Sequence, residues 1–138
     1  MTYLLDVNAL IALAFVQHEF HDRLATWVQT QRSQSSSLAT CSITELGFVR
    51  VLAQAPTYGL SVVEARTILI QLKKANSVQF LFIPDTHDIG SLPTWVKTAK
   101  QITDGHLFEL ARSNGAVLAT LDERIPGAFL IPHRRIRQ

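Results

Sequence analysis

Cysteine is nearly missing from this 138-residue chain; there is one, Cys41. A lone thiol closes no internal disulfide, and no Cys/His zinc spacing is present, so a disulfide-stapled scaffold and a zinc module are both excluded. The same scarcity suits a reducing compartment, and a cytoplasmic location is expected. Charge is sparse too, at 17% of residues, and its signs nearly cancel: 13 Lys and Arg face 11 Asp and Glu, a net charge of +2. Such a balance is weak support for any polyanion partner. Long apolar runs are also missing. The most apolar stretch, residues 9–16, is far too short to span a bilayer. No basic segment precedes an apolar run at the N-terminus, so neither a signal peptide nor a membrane partner is expected.

Apolar residues make up 47% of the chain. That composition is globular, and the length suits a single domain over residues 1–138 with a core large enough to need no staples. Short apolar runs alternate with helical patterns. Residues 3–5 read as a buried strand, after which Asn8 is expected to cap a helix to about residue 16. A second helix covers about residues 20–31, with Leu24, Trp27 and Val28 on its apolar face. Residues 38–41 read as a strand followed by a helix over 42–54. Ser61 and Glu64 form a capping-box pattern that opens a helix to about residue 75. A strand at 78–83 and a loop at 84–93 come next, then a helical segment at 95–100. A helix at 104–113 is stopped by Asn114-Gly115. Strands at 116–120 and 128–131 complete the pattern. Strands alternating with helices predict βαβ units and a mostly parallel sheet in a three-layer α/β/α domain.

Four carboxylates stand out. Glu45 heads the helix face Glu45, Phe48, Val49, Leu52, which is otherwise apolar and turned to the core. A buried carboxylate needs a partner or a metal. Asp104 heads a similar stripe with Leu107, Phe108 and Ala111, although Asp is also a favoured N-cap. Asp6 ends the first strand, and Asp122 follows the strand at 116–120. Each Asp alone has an ordinary reading as a turn residue. Taken together, two follow strands and two open helices at the same edge, where ligand sites of open α/β sheets lie. All four are therefore expected to point into one crevice. Crowded carboxylates stay ionised only if cations neutralise them, and hard oxygen donors suit Mg²⁺ or Mn²⁺.

The segments carrying these acids resemble one family. Residues 4–13 with Asp6 and Asn8, 39–50 with Glu45, the Pro84-Asp85 region, and 102–107 with Asp104 running on to Thr120 and Asp122 stand in the order of PIN-domain ribonucleases. The resemblance is narrower still to VapC-type toxins of bacterial toxin–antitoxin pairs. It implies a PIN-like fold and an Mg²⁺-dependent endoribonuclease, with Mn²⁺ as a substitute. It implies an acidic metal site of Asp6, Glu45, Asp104 and Asp122, with Asn8 and Thr120 as supporting polar residues. It also implies an RNA substrate, a homodimer and a cognate antitoxin. In this reading Asp6, Asp104 and Asp122 bind metal, while Glu45 binds metal or orients its water. Gly105 departs from the family's more usual Ala.

Other residues are weighed against plainer roles. Arg50 is either a phosphate contact or half of a structural ion pair. Arg134, Arg135 and Arg137 are candidate RNA contacts or a solvated basic tail. His18, His21 and His106 read as surface or rim residues, and Asp85, His87 and Asp88 as turn chemistry. Glu123 reads as a solvated neighbour of Asp122, and Trp27 and Trp95 as core or interface anchors. Two rival functions remain: a PIN-like module that binds RNA or a partner without cutting, and a haloacid-dehalogenase-like phosphatase. The latter needs a second Asp two residues after the first, where this chain has Asn8.

Overall fold

The computed structural model describes residues 1–75 and 77–133. Five strands form one sheet: β1 (Thr2–Leu5), β2 (Ser37–Cys41), β3 (Phe80–Ile83), β4 (Val117–Thr120) and β5 (Phe129–Leu130). Their order is β3-β2-β1-β4-β5, and every pairing is parallel. Five helices flank it: α1 (Val7–Ala14), α2 (His21–Ser33), α3 (Ser42–Gln54), α4 (Val62–Ala75) and α5 (Ile102–Ser113).

The alternation of a strand's side chains explains the three layers. Leu5, Leu38 and Ala119 face a core shared with α1 to α4. Their neighbours Leu4, Ala39 and Leu118 face the opposite core, closed by Leu107, Leu110 and Ala111 of α5. With helices on both faces, the central strands are apolar on both sides, as a buried parallel sheet requires. Trp27 is buried against the first core, where Tyr3 meets it edge-on at 5.0 Å, and Trp95 packs at 6.0 Å from Phe108 beside the second.

Three local expectations need correction. The cap of α1 is Asp6, not Asn8: Asp6 has extended backbone, and its Oδ1 accepts from the Ala9 N–H at 2.9 Å. Asn8 lies one residue inside the helix, exposed. Residues 95–100 are not a helix; turns lead to a short 3-10 turn at Ala99–Gln101, capped by Thr98. The helix α5 starts at Ile102, so Asp104 lies within its first turn and is not its cap. The capping box at Ser61 and Glu64 is present, with N–H···O distances of 3.0 and 3.1 Å.

The chain runs from β1 outward through β2 to β3, then returns to β4 on the other side of β1. The direction of winding reverses between β1 and β4. A crevice opens at the carboxyl ends of two such strands. Asp6 follows one of them directly and Asp122 follows the other by two residues.

Candidate functional site

Thr120 organises the switch-point crevice. It is the last residue of β4 and is fully buried. Its hydroxyl donates to Asp6 Oδ2 at 2.5 Å and accepts from the Asp122 N–H at 2.9 Å. One hydroxyl thus ties both strand-end acids together, and a buried hydroxyl used in both directions leaves nothing unsatisfied. Asp6 is only 8% exposed. Burial pushes its carboxyl up to about 6, and the charges of Asp104 and Asp122 push the same way against the bonds from Thr120 and Ala9. Asp104 is also raised, chiefly by burial and then by the charge of Asp122. Among the described residues, no hydrogen bond or ion pair is recorded for its carboxylate.

Asp122 behaves differently. Its carboxylate accepts from Arg124 through the backbone N–H at 2.9 Å, Nε at 3.0 Å and Nη2 at 3.2 Å. These bonds hold it below the usual carboxylate range. Glu45 is turned elsewhere. Its Oε2 accepts from the Thr40 hydroxyl at 2.5 Å and from Lys73 Nζ at 2.6 Å. Lys73 comes from α4 and lies 5.8 Å from the centre of the Phe82 ring.

Asp6, Asp104 and Asp122 therefore share one electrostatic neighbourhood, while Glu45 is neutralised by Lys73 beside it. Among the described residues, no three acids, histidines or cysteines converge closely enough to hold an ion as they stand. The donor set still fits a hard divalent cation: three carboxylates, two with raised proton affinity, where positive charge would relieve the crowding. Asn8 sits at the rim, lining a cavity together with Asp122. Arg50 is exposed, and no ion pair to a described acid is recorded for it. Arg134, Arg135 and Arg137 lie outside the described residues.

A PIN-domain profile matches residues 3–128. Ribonuclease VapC38 of Mycobacterium tuberculosis is 34% identical over 134 residues, covering 96% of this chain and 91% of the relative. The chain belongs to the VapC-type PIN-domain family. Ribonuclease VapC29 of the same organism is 35% identical, covering 88% of this chain and 86% of its own. Among solved structures, VapBC2 from Rickettsia felis bound to a promoter DNA fragment matches with a TM-score of 0.63 at 15% identity, covering 94% of this chain and 97% of that one. PAE2754 from Pyrobaculum aerophilum matches with a TM-score of 0.56 at 22% identity, covering 95% and 84%. These two likenesses speak to the fold alone. Family membership sets aside the phosphatase alternative.

Three residues of this PIN domain's acidic edge were not anticipated: Thr40, Lys73 and Arg124. Arg124 stands two residues after Asp122, a spacing at which Asp side chains bond local backbone, so its signal was legible. Lys73 lies 28 residues from Glu45, and nothing local points to it. The histidines read as surface or rim residues have specific partners. His21 Nδ1 bonds the Ala12 carbonyl at 2.9 Å, and Asp85 caps a turn by accepting the His87 N–H at 3.1 Å. His106 adds an unforeseen ion pair with Asp85 at 2.6 Å. Burial pushes Asp85 up, but the bonds from His106 and His87 outweigh it and hold the carboxyl low.

Proposed function

We propose that this PIN domain is a metal-dependent endoribonuclease, the toxin member of a toxin–antitoxin pair. The observation that carries this is the bridge Asp6–Thr120–Asp122 at the switch point, with Asp104 close enough to raise the Asp6 carboxyl. RNA as substrate rests on the relatives' names as ribonucleases. Asp6, Asp104 and Asp122 would hold Mg²⁺, or Mn²⁺ in its place. A cation bound there supplies a water of lowered pKa and offsets charge gathering on the phosphoryl oxygens. Thr120 fixes the orientation of Asp6 and the backbone of Asp122. Arg124 is placed to exchange its hold on Asp122 for a substrate phosphate. Glu45, positioned by Thr40 and Lys73, stands at the rim and orients water on the α3 side.

A cognate antitoxin and a homodimer complete the proposal. Leu46, Val62 and Ile70 expose apolar surface beside Glu45, and they form a face such an antitoxin segment would cover. A cytoplasmic placement belongs to the same proposal, and an RNA substrate and a single thiol suit it; no helix among the described residues is long and apolar enough to cross a membrane. One observation favours the non-cutting alternative: Glu45 and Asp122 already carry cationic partners. Cleavage separates the two readings. Wild type should cut RNA with Mg²⁺ or Mn²⁺ present, and Asp6→Ala should lose at least the roughly 10–100-fold that removing a ligand's supporting partner costs. Undiminished cutting by Asp6→Ala would refute the assignment.

A further inference from the structure

A cavity of about 500 Å³ opens beside Asp122, between the loop joining α1 to α2 and the loop after β4. Asn8, His18, Glu19 and Phe20 form one side, and residues 121–124 form the other. Its volume lies within the roughly 300–1,000 Å³ of small-molecule sites. We propose that this cavity is a nucleobase pocket, which receives an unpaired base, guanine by preference, beside the phosphate facing Asp122. The proposal rests on the RNA-cleaving reading and adds to it a substrate-selecting site.

Four features support it. Phe20 is 37% exposed, a large ring left open among polar groups. Single-stranded RNA is read by stacking unpaired bases on such rings. The ring is held from behind: the Arg23 guanidinium lies 5.8 Å from its centre, and Arg23 is itself fixed by Nε donating to the Ile131 carbonyl at 2.9 Å. His18 Nδ1 accepts from the Phe20 N–H at 3.0 Å, so the ring hydrogen sits on Nε2 and is available as a donor. Glu19 and Glu123 are exposed carboxylates, which only accept. The edge that best matches two acceptors and one donor carries adjacent N–H groups next to a carbonyl, which is guanine. Arg124, on the same wall, offsets part of the negative charge of Glu19, Asp122 and Glu123. Because Asp122 lines the same cavity, the bound base and the attacked phosphate lie within about one nucleotide of each other.

The test uses four fluorescent pentaribonucleotides, UUGUU, UUAUU, UUCUU and UUUUU, titrated by anisotropy in EDTA so that no turnover occurs. Wild type should bind UUGUU about tenfold tighter than UUUUU. Phe20→Ala should weaken all four by about tenfold, since stacking tolerates any base. The pair Glu19→Ala and Glu123→Ala should leave affinity for UUUUU in place and reduce the guanine preference below about twofold. Thermal melting of each variant controls for folding. Equal affinity of wild type for all four RNAs would overturn the proposal, as would a guanine preference unchanged in both variants. Cleavage is scored separately with Mg²⁺. RNA cutting with a flat binding profile sinks the pocket alone. A guanine preference without any cutting sinks the nuclease reading alone.

Discussion

Asp6 caps α1, receives the Thr120 hydroxyl and stays buried while two further acids press on it. Such a residue should be a stability liability without a cation. Its folded pKa, about 6, lies above the ordinary 3.8, so the native state holds the proton more tightly than the unfolded chain. The stabilisation this gives is complete below about pH 4 and is lost as pH rises through about 6. Asp6→Asn keeps the cap acceptor and removes the charge. We predict that metal-free Asp6→Asn is more stable to unfolding than wild type at pH 7, by up to about 3 kcal/mol, and that the gap closes near pH 4. A gap independent of pH would contradict the assignment of strain to this carboxyl. Glu45 gives a second lesson at this scale. Its place on an apolar helix face made a partner or a metal necessary, and the sequence left that choice open. The structure supplies Lys73, from a helix 28 residues on, which no local pattern reveals. Both side chains are more than a quarter exposed, so the pair is worth no more than about 1 kcal/mol. Lys73→Met should lower stability by that amount or less, and a double-mutant cycle with Glu45→Gln should recover a coupling of the same size.

Among the elements, α5 shows why one residue departs from the family habit. Ala favours a helix over Gly by about 1 kcal/mol, so Gly105 looks like a weak start. A Cβ there would lie 2.2 Å from Val96 Cγ2 and 3.4 Å from Pro93 Cδ. The segment that read as a helix at 95–100 instead folds over α5, and Gly105 leaves room for it. Gly105→Ala should therefore destabilise by about 1–2 kcal/mol despite its propensity gain, and Val96→Ala in the same chain should recover most of that. A higher melting temperature for Gly105→Ala alone would show that the segment yields freely. Elements with strong local signals were legible: the Ser61–Glu64 box, the Asn114-Gly115 stop and the apolar strands. The Trp95 region was not, because Trp95 packs on Phe108 and the next residue, Val96, lies against Gly105, which is not a helical spacing of apolar contacts. Asn8 misled because Asp6, two residues earlier, is an equally good cap and holds the extended backbone a cap requires.

The whole molecule places the acids through its winding. Alternating apolar strands and helices predicted a three-layer α/β/α domain, and the strand-by-strand alternation of Leu4 with Leu5 and Leu118 with Ala119 is what divides its two cores. Strand order was not legible, since it depends on pairings such as Leu5 with Ala119, far apart in sequence. That order sets β1 beside β4 and so brings Asp6 and Asp122 to one hydroxyl. The expectation of four converging acids became three in one neighbourhood with Glu45 held to one side. Manganese anomalous diffraction tests that arrangement most directly. A crystal grown with Mn²⁺ should show a single strong anomalous peak, or a close pair, about 2.0–2.2 Å from carboxylate oxygens of Asp6, Asp104 and Asp122. A peak bound by other residues, or none at millimolar Mn²⁺, would contradict the account.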